Sequence, residues 1–206
     1  MLKKPHPHAL LAAAGAALLL AALPACDKKP PAAAADAPPT LNEAQVKTME
    51  AIAEAGNPVA KYQLGKKFRD GDTVPQNFTN SVLWFRKAAD AGYAKAQYQL
   101  GLAYEEGQGV AQDLAEAARW YTRAAEQDNG NAQEKLGFAY WQGAGVATNL
   151  VEAHKWLTLA AANGEGKAAK GLKKLELAMT PRQIEEAKKL AAAFIPKKVY
   201  KEPKTN

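Results

Sequence analysis

Ala96, Leu100 and Tyr104 fall at i, i+4 and i+8, one apolar stripe of a 3.6-residue helix with polar residues between. After a glycine-containing loop a second stripe follows at Ala117, Trp120, Tyr121 and Ala124. Asp113, with Glu116 three residues on, opens that second helix in an arrangement close to a capping box. Asn77 and Asn149 hold the same cap position elsewhere in the chain. Gly92 and Gly164 stand where a helix commonly ends on a left-handed residue. Two amphipathic helices joined by a short loop predict a helical hairpin.

The hairpin pattern returns every 36 residues. Leu64, Leu100 and Leu136 share one column, followed by Gly65, Gly101 and Gly137, and later by Trp84, Trp120 and Trp156. Paired alanines, Ala88-Ala89, Ala124-Ala125 and Ala160-Ala161, extend the match. A repeat of this length implies stacked units that bury apolar faces only against their neighbours. The fold class is therefore all-α, an α-solenoid of stacked helical hairpins. The boundaries are a capping helix at 41–56, repeats at 57–92, 93–128 and 129–164, and a partial repeat with a C-terminal capping helix at 165–196. Glycine inside a helix costs roughly 1 kcal/mol relative to alanine, so the glycine column needs a reason. Close approach of the first helix to the alanine-rich face of the second would supply one. The Trp column has two readings, core packing or a ladder on which a ligand stacks.

Ala96-x3-Leu100-Gly101-x2-Tyr104-x2-Gly107-x-Gly109-Val110-x2-Asp113-x6-Trp120-Tyr121-x2-Ala124-Ala125 resembles the Sel1-like repeat. Gly143-Ala144-Gly145-Val146 repeats the loop, and Gly71-Asp72-Thr73-Val74 departs from it in the first unit. The resemblance covers about residues 57 to 165, and it implies a superhelix like that of the tetratricopeptide repeats. In those relatives first-helix positions line a concave groove for a protein or peptide partner. Carried over, the groove positions are Tyr62, Lys66 and Arg69, then Tyr98, Leu102 and Glu105, then Glu134, Phe138 and Trp141. The alternative for Tyr62, Tyr98 and Phe138 is packing between helices.

The ends carry a different signal. Lys3 and Lys4 precede an apolar run from Ala9 to Leu23, and Leu23-Pro24-Ala25-Cys26 follows, the layout of a cleavable export segment at 1–25. Those four residues resemble the lipobox of bacterial lipoproteins, which implies acylation of Cys26, the one cysteine in the chain. An ordinary cleavage site that happens to contain cysteine is the other reading. Residues 26–40 read as the lipidated cysteine and an Ala/Pro tether, and 197–206 as a basic disordered tail containing Lys197, Lys198, Lys201 and Lys204. This layout places the protein in the cell envelope, anchored by lipid and facing the periplasm. Asp27, resembling an inner-membrane retention signal, tilts the choice toward that membrane.

Loss of Lys3 and Lys4 lowers the formal charge from +6 to about +4. That is too sparse for a nucleic-acid module. Without the leader, His154 is the single histidine left, and no nucleotide-binding loop, nucleophile elbow or zinc spacing is present, so neither cofactor nor metal is expected. Glu105-Glu106 and Glu185-Glu186 are helix neighbours pointing about 100° apart, a poor geometry for paired acid and base. The favoured reading is a non-enzymatic, membrane-anchored scaffold that binds a partner. An envelope enzyme or β-lactam-binding protein, and a structural lipoprotein or inhibitor, are the alternatives. The sequence leaves the oligomeric state open.

Overall fold

The computed structural model describes residues 41–200, and every regular element among them is helical. The expected export segment at 1–25, Cys26, the expected tether to residue 40 and residues 201–206 lie outside the described residues. A leading helix α1 (Glu43–Ala55) is followed by three hairpins, α2 (Pro58–Asp70) with α3 (Phe78–Asp90), α4 (Ala94–Glu106) with α5 (Leu114–Ala125), and α6 (Gly130–Gln142) with α7 (Leu150–Ala162), and then by α8 (Gly166–Leu175) and α9 (Pro181–Ala192), which both pack on α7. A 3-10 turn, Glu176–Ala178, extends α8. The fold is an all-α solenoid of stacked hairpins.

Each hairpin is set by its caps. Asn77, Asp113 and Asn149 accept hydrogen bonds from the first-turn amides of α3, α5 and α7. Their own amides donate back to α2, α4 and α6, at Phe68 O (2.8 Å), Tyr104 O (3.0 Å) and Tyr140 O (2.9 Å). The loop is thereby closed by backbone bonds whatever its side chains. α1 and α9 start with full capping boxes, Asn42 with Gln45 and Thr180 with Gln183.

The divergent loop of the first repeat has a steric explanation. Gly109 and Gly145 have φ near +72° and +74°, and a Cβ on either would sit 2.2 Å from Phe78 O or 2.0 Å from Leu114 O, the first residue of the preceding second helix. Only glycine fits under that carbonyl. Thr73 holds the same column in the first repeat, where α1 takes the place of a preceding hairpin, and its carbonyl accepts from Leu41 N at 2.8 Å.

The core follows the columns. Leu64, Leu100 and Leu136 are buried, as are Trp84, Trp120 and Trp156. Lys87, Arg123 and Lys155 lie 4.3, 4.4 and 4.4 Å from the three indole centroids, so each Trp is packed on one side and covered by a cation. That leaves no stacking ladder. The glycine column admits close approach, but to rings and branched chains of the second helix and not to its alanines. A Cβ on Gly65, Gly101 or Gly137 would lie 2.7 Å from Phe85, 2.5 Å from Tyr121 or 2.7 Å from Leu157. The alanine pairs serve the joint between hairpins instead: Ala88 and Ala89 pack with Tyr93, Ala96 and Leu100 of the next unit.

The joints also carry a polar clasp that the sequence reading missed. Gln133 is fully buried; its Nε2 donates to Ala125 O (3.2 Å) and its Oε1 accepts from Asn163 Nδ2 (2.9 Å). Gln97 repeats this one period earlier with Ala89 O (3.1 Å) and Gln127 Nε2 (2.7 Å). The signal available was the Gln column itself.

One expectation at the C-terminus is corrected. Lys197 to Tyr200, assigned to a disordered tail, are placed: Lys197 N donates to Glu126 O at 2.7 Å and Tyr200 meets Tyr93 edge to face. The first helix of the partial repeat ends as an α-helix at Leu175, tightening to 3-10 before Thr180 starts α9.

Candidate functional site

Between successive hairpins the stacking leaves a groove floored by the second helix and walled by the first helices on either side. Two cavities open along it. The larger, about 290 Å³, is lined by Glu105 of α4, by Leu114, Ala117, Ala118 and Tyr121 of α5, and by Glu134, Lys135, Phe138, Ala139 and Gln142 of α6, with Ala144 and Lys167 at the rim. The smaller, about 160 Å³, is lined by Arg69, Phe78, Ser81, Val82, Phe85, Gln99, Leu102, Ala103, Glu106 and Gln108. Every residue lining the smaller cavity lies one period before a residue lining the larger. They are one site written twice. Ser81 and Val82 in place of Ala117 and Ala118 make the first copy tighter.

The two copies differ in polarity. In the larger, Tyr121 Oη donates to Glu105, and Lys135 Nζ bonds the same carboxylate at 2.9 Å. Burial first, and then the bond to Glu105, hold the Tyr121 phenol far above its ordinary value. It stays a neutral donor. Tyr98 beside it is raised by burial and then by Glu105 and Glu134. In the smaller copy Phe85 has no hydroxyl to offer, and Arg69 bonds Gln99 Oε1 and Asp70 Oδ1, both at 2.7 Å. The Arg69 bond holds the Asp70 carboxyl below its usual range, and Lys66 adds to the effect.

The next position along closes. Trp141 stacks on Phe138 with centroids 6.1 Å apart, and both pack against Ala153, Leu157 and Leu175. The Phe138 ring also rests 3.0 Å from where a Cβ on Gly171 would stand. A partner lying in the groove would therefore meet a wall after the larger cavity.

Of the nine groove positions expected from the sequence, Arg69, Leu102, Glu105, Glu134 and Phe138 line the cavities. Tyr62 does not: it packs between Phe85 (5.7 Å), the ring that Gly65 lets lie against α2, and Tyr93 (5.2 Å). Tyr98 packs on Tyr121 at 6.0 Å, and Trp141 is the wall just described. Lys66 is half-buried and acts on Asp70. The sequence reading missed the second-helix floor, above all the Phe85/Tyr121 column that follows each Trp, and the Gln99/Lys135 column. Both were visible as aligned positions.

His154 is 2% exposed, with Nε2 3.0 Å from Glu176 Oε1 and Nδ1 3.2 Å from Thr158 Oγ1. Nε2 joins α7 to the 3-10 turn, and Nδ1 is engaged within α7. Glu105 faces the larger cavity and Glu106 the smaller, so the two carboxylates diverge. Among the described residues no His, Cys, Asp and Glu group could hold a metal ion, and no helix is long and apolar enough to cross a membrane.

The family model for the Sel1 repeat matches residues 58–93, 94–129 and 130–165. A solved structure of a protective antigen of uropathogenic Escherichia coli strains, displaying the SLR fold, is 32% identical over 74% of this chain and 33% of its own, with a TM-score of 0.66. A Sel1 repeat protein from Oxalobacter formigenes is 34% identical over 63% of this chain and 56% of its own, with a TM-score of 0.56. The chain thus spans about a third of the length of the first and just over half of the second. No curated protein matches.

Proposed function

Because the chain belongs to the Sel1 repeat family, whose members generally mediate protein–protein interaction, we propose that it is a scaffold that takes an extended segment of a partner protein along the groove between hairpins. The recurrence of one cavity in two successive repeats carries this reading. Helices pack about 9 Å apart and an extended chain advances about 3.3 Å per residue, so adjacent cavities take apolar side chains roughly three residues apart in the partner. The tighter copy suits a small aliphatic anchor and the roomier one a large aliphatic or aromatic anchor. Arg69 beside the first and Glu105, Glu134 and Lys135 beside the second fix direction and register through flanking charges.

Photo-crosslinking tests the groove. A crosslinker at exposed Gln142, on the rim of the larger cavity, is expected to trap a defined partner in cells; one at Arg119, exposed on α5, is not. Ala118→Trp, which fills the larger cavity, is expected to reduce the Gln142 product at least tenfold while the helical melt is kept. Equal trapping from both positions, or trapping indifferent to Ala118→Trp, would count against groove binding.

Membrane anchoring belongs to the same proposal. Its support is the basic start at Lys3 and Lys4, the apolar run and Leu23-Pro24-Ala25-Cys26; acylated Cys26 would hold the repeats at the periplasmic face of the inner membrane. Fractionation of a Cys26→Ala variant decides it: persistence in the membrane pellet would remove the lipid anchor from the reading.

A further inference from the structure

Beyond α9 the chain does not leave the molecule. Phe194 packs on Trp156 of the third repeat (5.6 Å, edge on), Lys197 reaches Glu126 at the end of the second, and Val199 and Tyr200 reach Gly92 and Tyr93 at the junction of the first and second. It runs backward across the ends of the second helices, a face sharing no residue with the two groove cavities. In a solenoid each repeat ordinarily touches only its neighbours. This segment joins the last hairpin to the first.

We propose that residues 195–200 are a tethered peptide ligand, and that the face beneath them is a second peptide-binding surface of the protein. Its recognition elements are those of extended-peptide capture. Glu126 contributes a carbonyl that accepts the Lys197 amide (2.7 Å) and a carboxylate that bonds Lys197 Nζ (2.8 Å). Gly92, at φ +86°, leaves open the space Val199 uses: a Cβ there would stand 2.5 Å from Val199 Cγ1. Tyr93 presents its ring to the edge of Tyr200 at 5.6 Å, and Tyr200 joins the cluster of Val82, Ala96, Leu100 and Trp120. The face reads a basic residue, a β-branched residue two positions on and an aromatic next.

The hold is loose enough to be exchanged. Val199 remains 65% exposed and Ile195 82%. Cavities of about 280 Å³ lie on each side of the segment, one toward Arg123 and Gln127 and one toward Asn129. Few buried contacts over a solvated backbone mark a low-stability element. What keeps it seated is its tether, since a short linker gives an effective concentration on the order of millimolar. A free peptide of the same chemistry competes only when the tethered one is displaced.

The test uses the full chain and a Val199→Asp, Tyr200→Ala double variant. Hydrogen exchange in the wild type is expected to show the Lys197 amide at least tenfold slower than an unprotected amide; exchange at the free rate would overturn the proposal. In the variant that amide is expected to return to the free rate, while Leu100 and Leu136 keep their protection and so report an intact fold. A labelled synthetic peptide of residues 195–206 is then titrated into both proteins. Affinity for the variant at least tenfold tighter than for the wild type supports a second peptide face; equal affinity for both, or no binding to the variant, overturns it.

Discussion

The cavity at Arg69 and the cavity at Glu105 share a backbone and differ in nearly everything that would contact a ligand. Gly65 and Gly101 let Phe85 and Tyr121 lie against the first helix, and Leu64 and Leu100 fill the same place beneath. Then the columns part. Arginine faces glutamate, phenylalanine faces tyrosine, and glutamine faces lysine. Positions that set hairpin packing are repeated, because each unit must present the same shape to its neighbour. Positions that line the groove are released from that constraint, so the proposed binding surface lies in the columns that fail to repeat.

The largest test of this division acts on the shared part. Leucine at Gly101 would drive a side chain into the Tyr121 ring, and leucine at Gly65 into Phe85. Overpacking of this kind costs about 3 kcal/mol, partly offset by roughly 1 kcal/mol of helix propensity gained over glycine. Gly101→Leu is expected to cost about 1 kcal/mol more than Gly65→Leu, because displacing Tyr121 also breaks its bond to Glu105. Denaturant unfolding of both variants measures the gap. If Gly101→Leu left stability unchanged, close approach would not be the reason for the glycine column.

A smaller effect isolates the hydroxyl. Tyr121→Phe makes the second copy resemble the first at this column, and removing a donor to a charged acceptor is expected to cost about 1.5 kcal/mol at neutral pH. The pH dependence has a definite sign. Burial and Glu105 raise the folded-state phenol above its unfolded value, so its contribution is complete below about pH 10 and lost as pH rises beyond that. The stability gap between wild type and Tyr121→Phe should therefore be flat up to about pH 10 and shrink above it. A gap that widened in alkali would contradict the buried, neutral phenol.

The fold was legible because stacking forces repetition. Leu100, Gly101 and Trp120 each had partners one period away, and the caps at Asn77, Asp113 and Asn149 marked every second helix. The groove was half legible. Counting columns on the first helix finds Arg69, Glu105 and Phe138, but the floor belongs to the second helix, and nothing in a single helical stripe tells that Gly101 pulls Tyr121 against α4. Tyr62 and Trp141 look like binding aromatics by type and position, yet one packs between Phe85 and Tyr93 and the other ends the groove. Thr73 looked like a defect in the loop and proved to be an end effect. The returning segment was hidden by composition: Lys197 and Lys198 read as solvated charge, and the partners that hold the segment, Glu126 and Tyr93, are distant in sequence.

The smallest expected effect is the most direct test of how far the two copies are interchangeable. Lys135 and Glu105 are each about one-third exposed, so Lys135→Met should cost no more than about 1 kcal/mol, less at high salt. If groove chemistry is independent of hairpin packing, the polar set of the second copy can be moved into the first. The triple change Arg69→Glu, Phe85→Tyr and Gln99→Lys recreates the carboxylate, phenol and ammonium around an unchanged glycine and leucine. It should fold within about 1 kcal/mol of wild type, since the helix geometry receiving these groups already accommodates them one repeat later. It should also change which partner segment is held, because the cation at the first cavity has become an anion. Loss of several kcal/mol would show that Arg69, through Gln99 and Asp70, stabilises the joint it borders, and the line between packing columns and binding columns would have to be redrawn there.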